Sequence, residues 1–328
     1  EINNFFASLG KGAGIMIKAI GGGGGRGIRP VLDSADISDA YARCQSEAEQ
    51  AFGNKNVYVE QLIQSARHIE IQILGDKSGV IVDLGERECS IQRRNQKIIE
   101  IAPCPKLSNK LRNRLVAAAK KLANGSNYVN AGSFEFLVDS AFIENDNAPF
   151  YFMEANARLQ VEHTVTEEVT GIDLVKTQLQ LADGCSLKEL GLDQKEISAP
   201  RGFAIQARIN METMGPDGTI RPSGGVITSF EMPSGLGIRS DSFGYAGYRT
   251  SPNFDSLLAK LIGHTKSDRF TDAVSKTYRA LSETRIEGVS TNIQFLQSIL
   301  KDEDFIKGNV YTRFVDDHLE KLIASSID

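Results

Sequence analysis

Five consecutive glycines, Gly21 to Gly25, lie between two apolar runs in GIMIKAIGGGGGRGIRPV (residues 14–31), and no other stretch restricts the fold as much. Glycine-rich runs ordinarily behave as flexible coil. Here Ile15, Met16 and Ile17 precede the run and Ile28 and Val31 follow it, so both flanks read as strands. Gly22, Gly24 and Gly27 match the spacing G-x-G-x-x-G, but a dinucleotide-binding loop needs a helix to begin there, and Pro30 forbids a regular helix interior. The Lys-Ser/Thr pair that completes a P-loop is absent. What remains is a glycine-tipped hairpin. Its bare backbone N–H groups, from Gly22, Gly23, Gly24, Gly25 and Gly27, can close over phosphates. Lys18 would aim a positive charge at the same anion. Taken alone, Lys18 reads better as a solvated lysine on a strand edge; the acids downstream change the balance.

Glu135 lies in the strand-like GSFEF and Glu154 in FYFMEANA, each among aromatic and aliphatic residues. Desolvating an unpaired carboxylate costs several kcal/mol, so such acids call for a cation. Two of them on neighbouring strands suit Mg²⁺, which takes oxygen ligands and keeps positions open for phosphates. Acids on an outward strand face are the plainer alternative. Directly after Glu154 comes NARLQVEH (156–163), where Asn156, Arg158, Gln160 and Glu162 alternate with Ala157, Leu159 and Val161. In an extended segment that spacing puts four polar groups on one side. Together they can hold a small planar oxyanion through the arginine fork and remove its proton. An amphipathic surface strand has the same pattern but fits poorly beside Glu154. SIQRRNQK (90–97) adds Gln92, Arg93, Arg94 and Lys97 with no acid interspersed.

The 328 residues suggest two domains, or one large domain with a subdomain. A net charge of −5 leaves no basic field for nucleic acid, and no apolar stretch is long enough to span a bilayer. EINNFFASLG lacks the features of a signal peptide. Cys44, Cys89, Cys104 and Cys185 form no CxxC pair, which favours reduced thiols over a disulfide framework or a zinc site. Along the chain, a helix capped by Ser34 or Asp36 runs over 37–52 to Gly53. A strand follows at 56–62, and RHIEIQIL (67–74) turns through GDKSG into VIVDLGERECS as a hairpin. Residues 90–107 read as a polar loop, and Ser108 caps a helix ending near Gly125. Helices fill 164–183. From Ala199-Pro200 to about 262 the texture is strand-rich, and helices return at 269–284, 290–301 and 311–324. The chain opens in a helix-like fragment leading straight into a strand, and it reads as a piece of something longer.

IKAIGGGGGRG, RHIEIQ, GERECSIQRRNQK, GSFEF, MEANARLQVEH, AIQARIN and YAGY…FDSLLAKLI occur in the order found in biotin carboxylases, the ATP-grasp components of biotin-dependent carboxylases. The resemblance covers about residues 12–300. It implies an α/β (α+β) chain: an ATP-grasp fold with a glycine-hairpin lid, then a mostly β biotin carboxylase C-terminal domain with terminal helices. The corresponding divisions are a partial lid at 1–62, a catalytic subdomain at 63–199 and the C-terminal domain at 200–328.

By motif, the resemblance assigns Lys18 and the glycines to the ATP phosphates and Glu60, Gln61, Leu62 and Ile63 to the adenine hinge. His68, Gln92 and Asn95 join the nucleotide side. Glu135 and Glu154, with Asn156, resemble the ligands of Mg²⁺ (or Mn²⁺). Arg158, Gln160 and the Val161 backbone resemble a bicarbonate cradle with Lys97 beside it. Glu162 resembles the base, and Arg208 the arginine that stabilises the biotin enolate. The chain departs from the family at Gln61 and Leu62, where Lys and Tyr are frequent, and at Asn95, where many members have His. The segment METMGPDGTIRPSGG (211–225) is also longer than the turn expected there.

The implied reaction is ATP- and bicarbonate-dependent carboxylation of biotin through carboxyphosphate. No biotinylation segment of the AMKM kind appears, so biotin is expected from a carrier domain elsewhere, with a carboxyltransferase domain or subunit and a homo-oligomer as further partners. The PSGG…FEMPSG stretch points to an acyl-CoA acceptor, as in acetyl-CoA carboxylase, and Asn95 to urea; pyruvate is a further alternative. The expected setting is cytoplasmic or the mitochondrial matrix. Two rivals stand beside this reading: a carbamoyl-phosphate-synthetase-type module, and a nucleotide-binding module without turnover. QRRNQK and the RIN…YAGY half disfavour the first, and the intact acids the second.

Overall fold

A computed structural model describes residues 1–10, 13–21, 27–215, 218–251 and 254–327. By its internal contacts the chain divides into two compact units, residues 1–66 with 93–96, and residues 67–92 with 97–328.

In the first unit β1 (Gly14–Ala19) pairs antiparallel with β2 (Ile28–Val31), with Ile15 opposite Val31 and Lys18 opposite Ile28. The two flanks of the glycine run are therefore paired strands, while Gly22, Gly23, Gly24 and Gly25 lie outside the described residues. β3 (Val57–Leu62) adds to the other edge of β1, giving the order β2-β1-β3. Helix α1 (Ile2–Ser8) precedes the sheet, and α2 (Ile37–Phe52) ends at Gly53, whose φ of 65° provides the left-handed cap. Asp36 occupies the N-cap of α2 but makes no side-chain capping bond; Asp33 caps a preceding 3₁₀ turn, accepting from the Ala35 N–H. Ile15, Ile17 and Val31 of the sheet bury against Ile37 and Cys44 of α2.

The second unit is built on β4 (Ala66–Gly75), β5 (Ile81–Arg93), β6 (Gln96–Ala102), β7 (Asn130–Asp139), β8 (Phe150–Asn156) and β9 (Phe203–Asn210). Three short strands follow: β10 (Glu212–Met214), β11 (Ile220–Pro222) and β12 (Ser229–Glu231). β13 (Ile238–Ser242), β14 (Leu257–Thr265) and β15 (Arg285–Glu287) complete the set. One sheet runs in the order β13-β14-β9-β6-β5-β4-β7-β8. β9 pairs with β6, Ile99 opposite Ala207, so the ladder continues through strands from both sides of residue 200.

Helix α3 (Asn109–Gly125) is capped by Ser108, whose hydroxyl accepts from the Leu111 N–H at 3.3 Å. Its buried Leu111, Leu115, Ala119 and Ala123 recur every fourth residue and meet Ile69, Ile71, Phe134 and Phe136 of the sheet. The helices expected over 164–183 are α4 (His163–Thr170) and α5 (Leu174–Asp183), separated at Gly171, whose φ is 75°. On β9 the period-two alternation separates two faces. Ile205, Ala207 and Ile209 pack with Val274, Leu281 and Leu296 of α6 (Phe270–Glu283) and α7 (Ile293–Lys301). Ala204, on the other face, packs with Val165 and Val169 of α4 and with Ile262. Short helices α8 (Glu303–Ile306) and α9 (Phe314–Asp317) lead to α10 (Leu319–Ile327). No helix among the described residues is long and apolar enough to cross a membrane.

Candidate functional site

The polar run 90–107 is mostly strand rather than loop. β5 continues to Arg93, β6 starts at Gln96, and Arg94 and Asn95 form the turn with φ of 50° and 62°. Two successive positive φ values are those of a type I′ hairpin turn. The expectation failed because the buried Ile91, Ile98, Ile99 and Ile101 are spread among polar residues that line the other side of the ladder. Asn and His are among the residues that tolerate this backbone region best, so Asn95 fits the turn as His would.

Lys97 is the second residue of β6, and its ammonium lies 2.6 Å from Glu162 Oε1, 2.9 Å from Glu70 Oε2 and 3.0 Å from Glu135 Oε1. Burial alone would favour neutral lysine, but Cys89, if ionised, and the three carboxylates push its pKa well above the ordinary value. Glu70 is itself fully buried, yet Arg87 and Lys97 hold its carboxyl below the usual range. Arg87, also fully buried, pairs with Glu70 and donates to Gln72 Oε1 at 2.8 Å and Thr166 Oγ1 at 2.9 Å. Burial raises the Cys89 thiol far out of the reactive range. His68 Nε2 stands 2.9 Å from Glu135 Oε2, and its Nδ1 is 2.9 Å from Gln92 Nε2.

Glu135 and Glu154 face each other in register across β7 and β8. The Asn156 amide nitrogen donates to Glu135 Oε1 at 3.0 Å and to Glu154 Oε1 at 3.3 Å, so the two carboxylates converge on one amide. The desolvation argument holds for Glu135, which is buried, and fails for Glu154, which is exposed on the edge strand. Glu135 is kept well below the usual carboxylate range: burial opposes ionisation, but His68 and Lys97 outweigh it. The all-oxygen donors of Glu135 and Glu154, with an amide that can turn its oxygen inward, fit a hard cation such as Mg²⁺ or Mn²⁺. Two other groupings bring ligand atoms within 4.8 Å, His68-Glu70-Glu135 and Glu70-Cys89-Glu162. In both, the Lys97 ammonium already bridges the carboxylates.

Residues 157–162 belong to no strand: the chain bends at Arg158 and turns at Val161 and Glu162. The chain leaves the sheet after Asn156 and enters α4 at His163, with Glu162 at its N-cap. Alternation therefore does not align the polar groups; the turn sorts them. Arg158 is exposed and donates to Gln160 Oε1 at 2.9 Å, while Gln160 and Glu162 are buried. Glu162 receives Lys97 on Oε1 and Arg208 on Oε2, the latter at 3.0 Å. Arg208 is held from behind by Glu100, its Nε donating at 2.5 Å, and Glu100 also accepts from Gln206 at 2.8 Å. Burial raises the pKa of Glu100, with Arg208 opposing the rise. The Val161 carbonyl accepts from Lys260 at 3.1 Å.

In the first unit, taken by itself, Lys18 pairs with Glu60 at 2.5 Å. Gln61 and Leu62 end β3 opposite Ile15 and Gly14, and Ile63 follows the strand. Gly27 has a φ of 69° at the start of β2, and Asn95 belongs to this unit. Sequence reasoning missed Glu70, Arg87, Glu100 and Lys260. The available signal was a charged residue flanked by apolar ones in a strand that is buried on both faces, as in RHIEIQ and KIIEIA.

Two family models match. One, described as the ATP binding domain of the carbamoyl-phosphate synthase L chain, covers residues 6–190; the other, the biotin carboxylase C-terminal domain, covers residues 206–317. Human mitochondrial pyruvate carboxylase is 47% identical over 93% of this chain, which corresponds to 25% of that protein. The biotin carboxylase domain dimer of Hydrogenobacter thermophilus 2-oxoglutarate carboxylase, solved with MgADP, ADP and bicarbonate, superimposes with a TM-score of 0.88. It is 38% identical, over 98% of this chain and 67% of that one. Rhizobium etli pyruvate carboxylase, solved with the allosteric activator acetyl coenzyme A, gives a TM-score of 0.89 at 41% identity, over 98% of this chain and 28% of that one. The chain spans about a quarter of the length of the curated relatives it matches.

Proposed function

The chain belongs to the biotin carboxylase family of ATP-grasp proteins, and from that premise we propose that it carboxylates carrier-bound biotin at the expense of ATP and bicarbonate. The second family model distinguishes this from a carbamoyl-phosphate-synthetase-type module, whose family shares the first. The observation that carries the reading is Glu162, buried, with one carboxylate oxygen on Lys97 and the other on Arg208.

In this reading Glu162 takes the bicarbonate proton, and the resulting oxyanion attacks the γ-phosphorus as the bond to ADP breaks. Arg158, Gln160 and the Val161 backbone hold the bicarbonate while Lys97 offsets its charge. Carboxyphosphate then divides into CO₂ and phosphate. The phosphate takes the ureido proton of biotin, whose nitrogen attacks CO₂ while Arg208 stabilises the enolate. The chain contributes position and fixed charge, the main protein terms in phosphoryl transfer. Lys18, the glycines, Glu60–Ile63, His68, Gln92 and Asn95 serve the nucleotide. Glu135, Glu154 and Asn156 would hold Mg²⁺, which supplies charge neutralisation at the phosphates. The division into 1–62, 63–199 and 200–328 is proposed on the same footing, supported by family models that end at 190 and resume at 206.

For the final acceptor we propose pyruvate rather than the acyl-CoA or urea that the sequence pattern evoked, because the curated relatives at 47% identity are pyruvate carboxylases. A biotin carrier domain, a carboxyltransferase and a second copy of the chain are the proposed partners. A cytoplasmic or mitochondrial-matrix setting is proposed with them, and the human relative bears the word mitochondrial in its name.

The test is carboxyl transfer from labelled bicarbonate by the full-length protein, offered pyruvate, acetyl-CoA, urea or 2-oxoglutarate. Label in oxaloacetate supports the assignment; label in malonyl-CoA or allophanate replaces it. No biotin-dependent ADP formation with any acceptor would leave a nucleotide-binding module. Within the same protein, Arg208→Ala should preserve bicarbonate-dependent ATP cleavage while carboxybiotin falls at least about tenfold, the effect of about 1.4 kcal/mol. Loss of ATP binding instead would move Arg208 to the nucleotide site. Glu154→Gln should weaken Mg²⁺-dependent ATP binding at least about tenfold in calorimetric titrations. Unchanged Mg²⁺ dependence would remove Glu154 from the metal set.

A further inference from the structure

We propose that Lys260 is a positioning residue that holds the peptide unit immediately before Glu162, an inference that rests on the reading of Glu162 as the base. Arg208, Lys260 and Asp241 stand opposite one another on β9, β14 and β13. Residues directly opposite in an antiparallel ladder project from the same face, here the face covered by α4. From it the Lys260 ammonium donates to the Val161 carbonyl at 3.1 Å and lies 3.3 Å from Asp241 Oδ2. Asp241 is fixed in turn by Arg239, at 2.9 Å, and Arg239 reaches Glu167 on α4 at 2.6 Å. The Lys260 side chain is 14% exposed, so it is not a solvated lysine.

A peptide bond is planar, so fixing the Val161 carbonyl also fixes the nitrogen of Glu162. The preceding carbonyl, of Gln160, is already held by the His163 N–H at 3.3 Å and lies 2.8 Å from the His163 ring. Among the described residues, Lys260 therefore supplies the side-chain tether on the carbonyl between Gln160 and Glu162. The Glu162 carbonyl is held on the other side by the Val165 N–H of α4, at 3.3 Å, so Lys260 fixes the peptide unit on the side that enters Glu162, and without it that side alone could shift relative to Lys97 and Arg208. Catalytic geometry tolerates little of this: a displacement near 1 Å can cost about 10²-fold.

The experiment compares Lys260→Met and Lys260→Arg in the full-length protein by biotin-dependent ATP cleavage and by amide hydrogen exchange over residues 158–163. Lys260→Met should lower kcat about 10- to 10²-fold with the KM for ATP unchanged. It should also speed exchange at Glu162, and Lys260→Arg, which can still donate, should restore most of both. Near-normal kcat in Lys260→Met with unchanged exchange overturns the proposal. So does an equal loss in both variants accompanied by an equal fall in unfolding midpoint, which is the mark of a purely structural residue. If the wild-type protein cleaves no ATP in response to biotin, the functional reading fails, and the exchange comparison still decides the tether.

Discussion

Glu162→Gln in the full-length protein should lower biotin carboxylation by about 10²–10⁴-fold, the usual consequence of losing a general base, while ATP affinity stays nearly constant. The substitution keeps size and one acceptor oxygen, removes the ability to take a proton at this position, and costs the contact to Lys97 or to Arg208, because an amide NH2 cannot accept from either. Lys97 would keep Glu70 and Glu135, and Arg208 would keep Glu100, so neither cation is left without a carboxylate. The proposed metal ligands and the glycine hairpin are untouched. Carboxybiotin and ADP should therefore fall together, in contrast to Arg208→Ala, where they separate. Near-normal carboxybiotin would remove Glu162 from the mechanism.

Arg67→Met should destabilise the second unit by about 3–5 kcal/mol, measured as a shift in the urea midpoint. Arg67 and Glu88 are paired with their side chains 1% and 0% exposed, the Arg67 Nε donating to Glu88 Oε2 at 2.7 Å. The guanidinium also donates to the carbonyls of Gly308 and Pro105, both at 3.2 Å, tying β4 to the end of α8 and the loop before α3. Methionine preserves much of the volume but strands the Glu88 carboxylate in the interior with only its contacts to Ser90 and Cys104. Replacing both partners, Arg67→Met with Glu88→Leu, should recover much of the loss, because a buried pair contributes little net stability when apolar groups fill its space. A loss below about 1 kcal/mol for the single change would show that solvent reaches Glu88.

Much of this architecture was legible because local patterns and burial agree. Gly53 ends α2, Ser108 starts α3, and the clean alternation of RHIEIQIL gave the β4–β5 hairpin. Legibility failed where burial overrode polarity. A run such as SIQRRNQK looks like a loop when seven of its eight residues are polar, yet Gln92 and Lys97 reach into a site and the isoleucines nearby fill a core. NARLQVEH failed for a related reason: strand alternation and the approach to a helix share the same letters, and only α4, packed by Val165 and Val169 on β9 and β14, decides between them. Residue types in the site could be named, but their pairing could not. That Glu162 bridges Lys97 and Arg208, or that Glu100 stands behind Arg208, depends on bringing together strands a hundred residues apart.

The Arg94-Asn95 turn has a consequence for how the sequence can change. A two-residue hairpin has no slack, and a one-residue shift between β5 and β6 would exchange the faces of every residue in the shifted strand. A shifted β6 would take both Lys97 and Glu100 from their partners, and a shifted β5 would take Gln92 from His68. Single-residue insertions and deletions should thus be barred from 93–96, even though substitutions that accept a left-handed backbone are admitted there. The ten residues joining β7 to β8 carry no such restriction, since Glu135 and Glu154 are set by their own ladder. Length variation, whether introduced by drift or by an engineered tag, belongs in that connection.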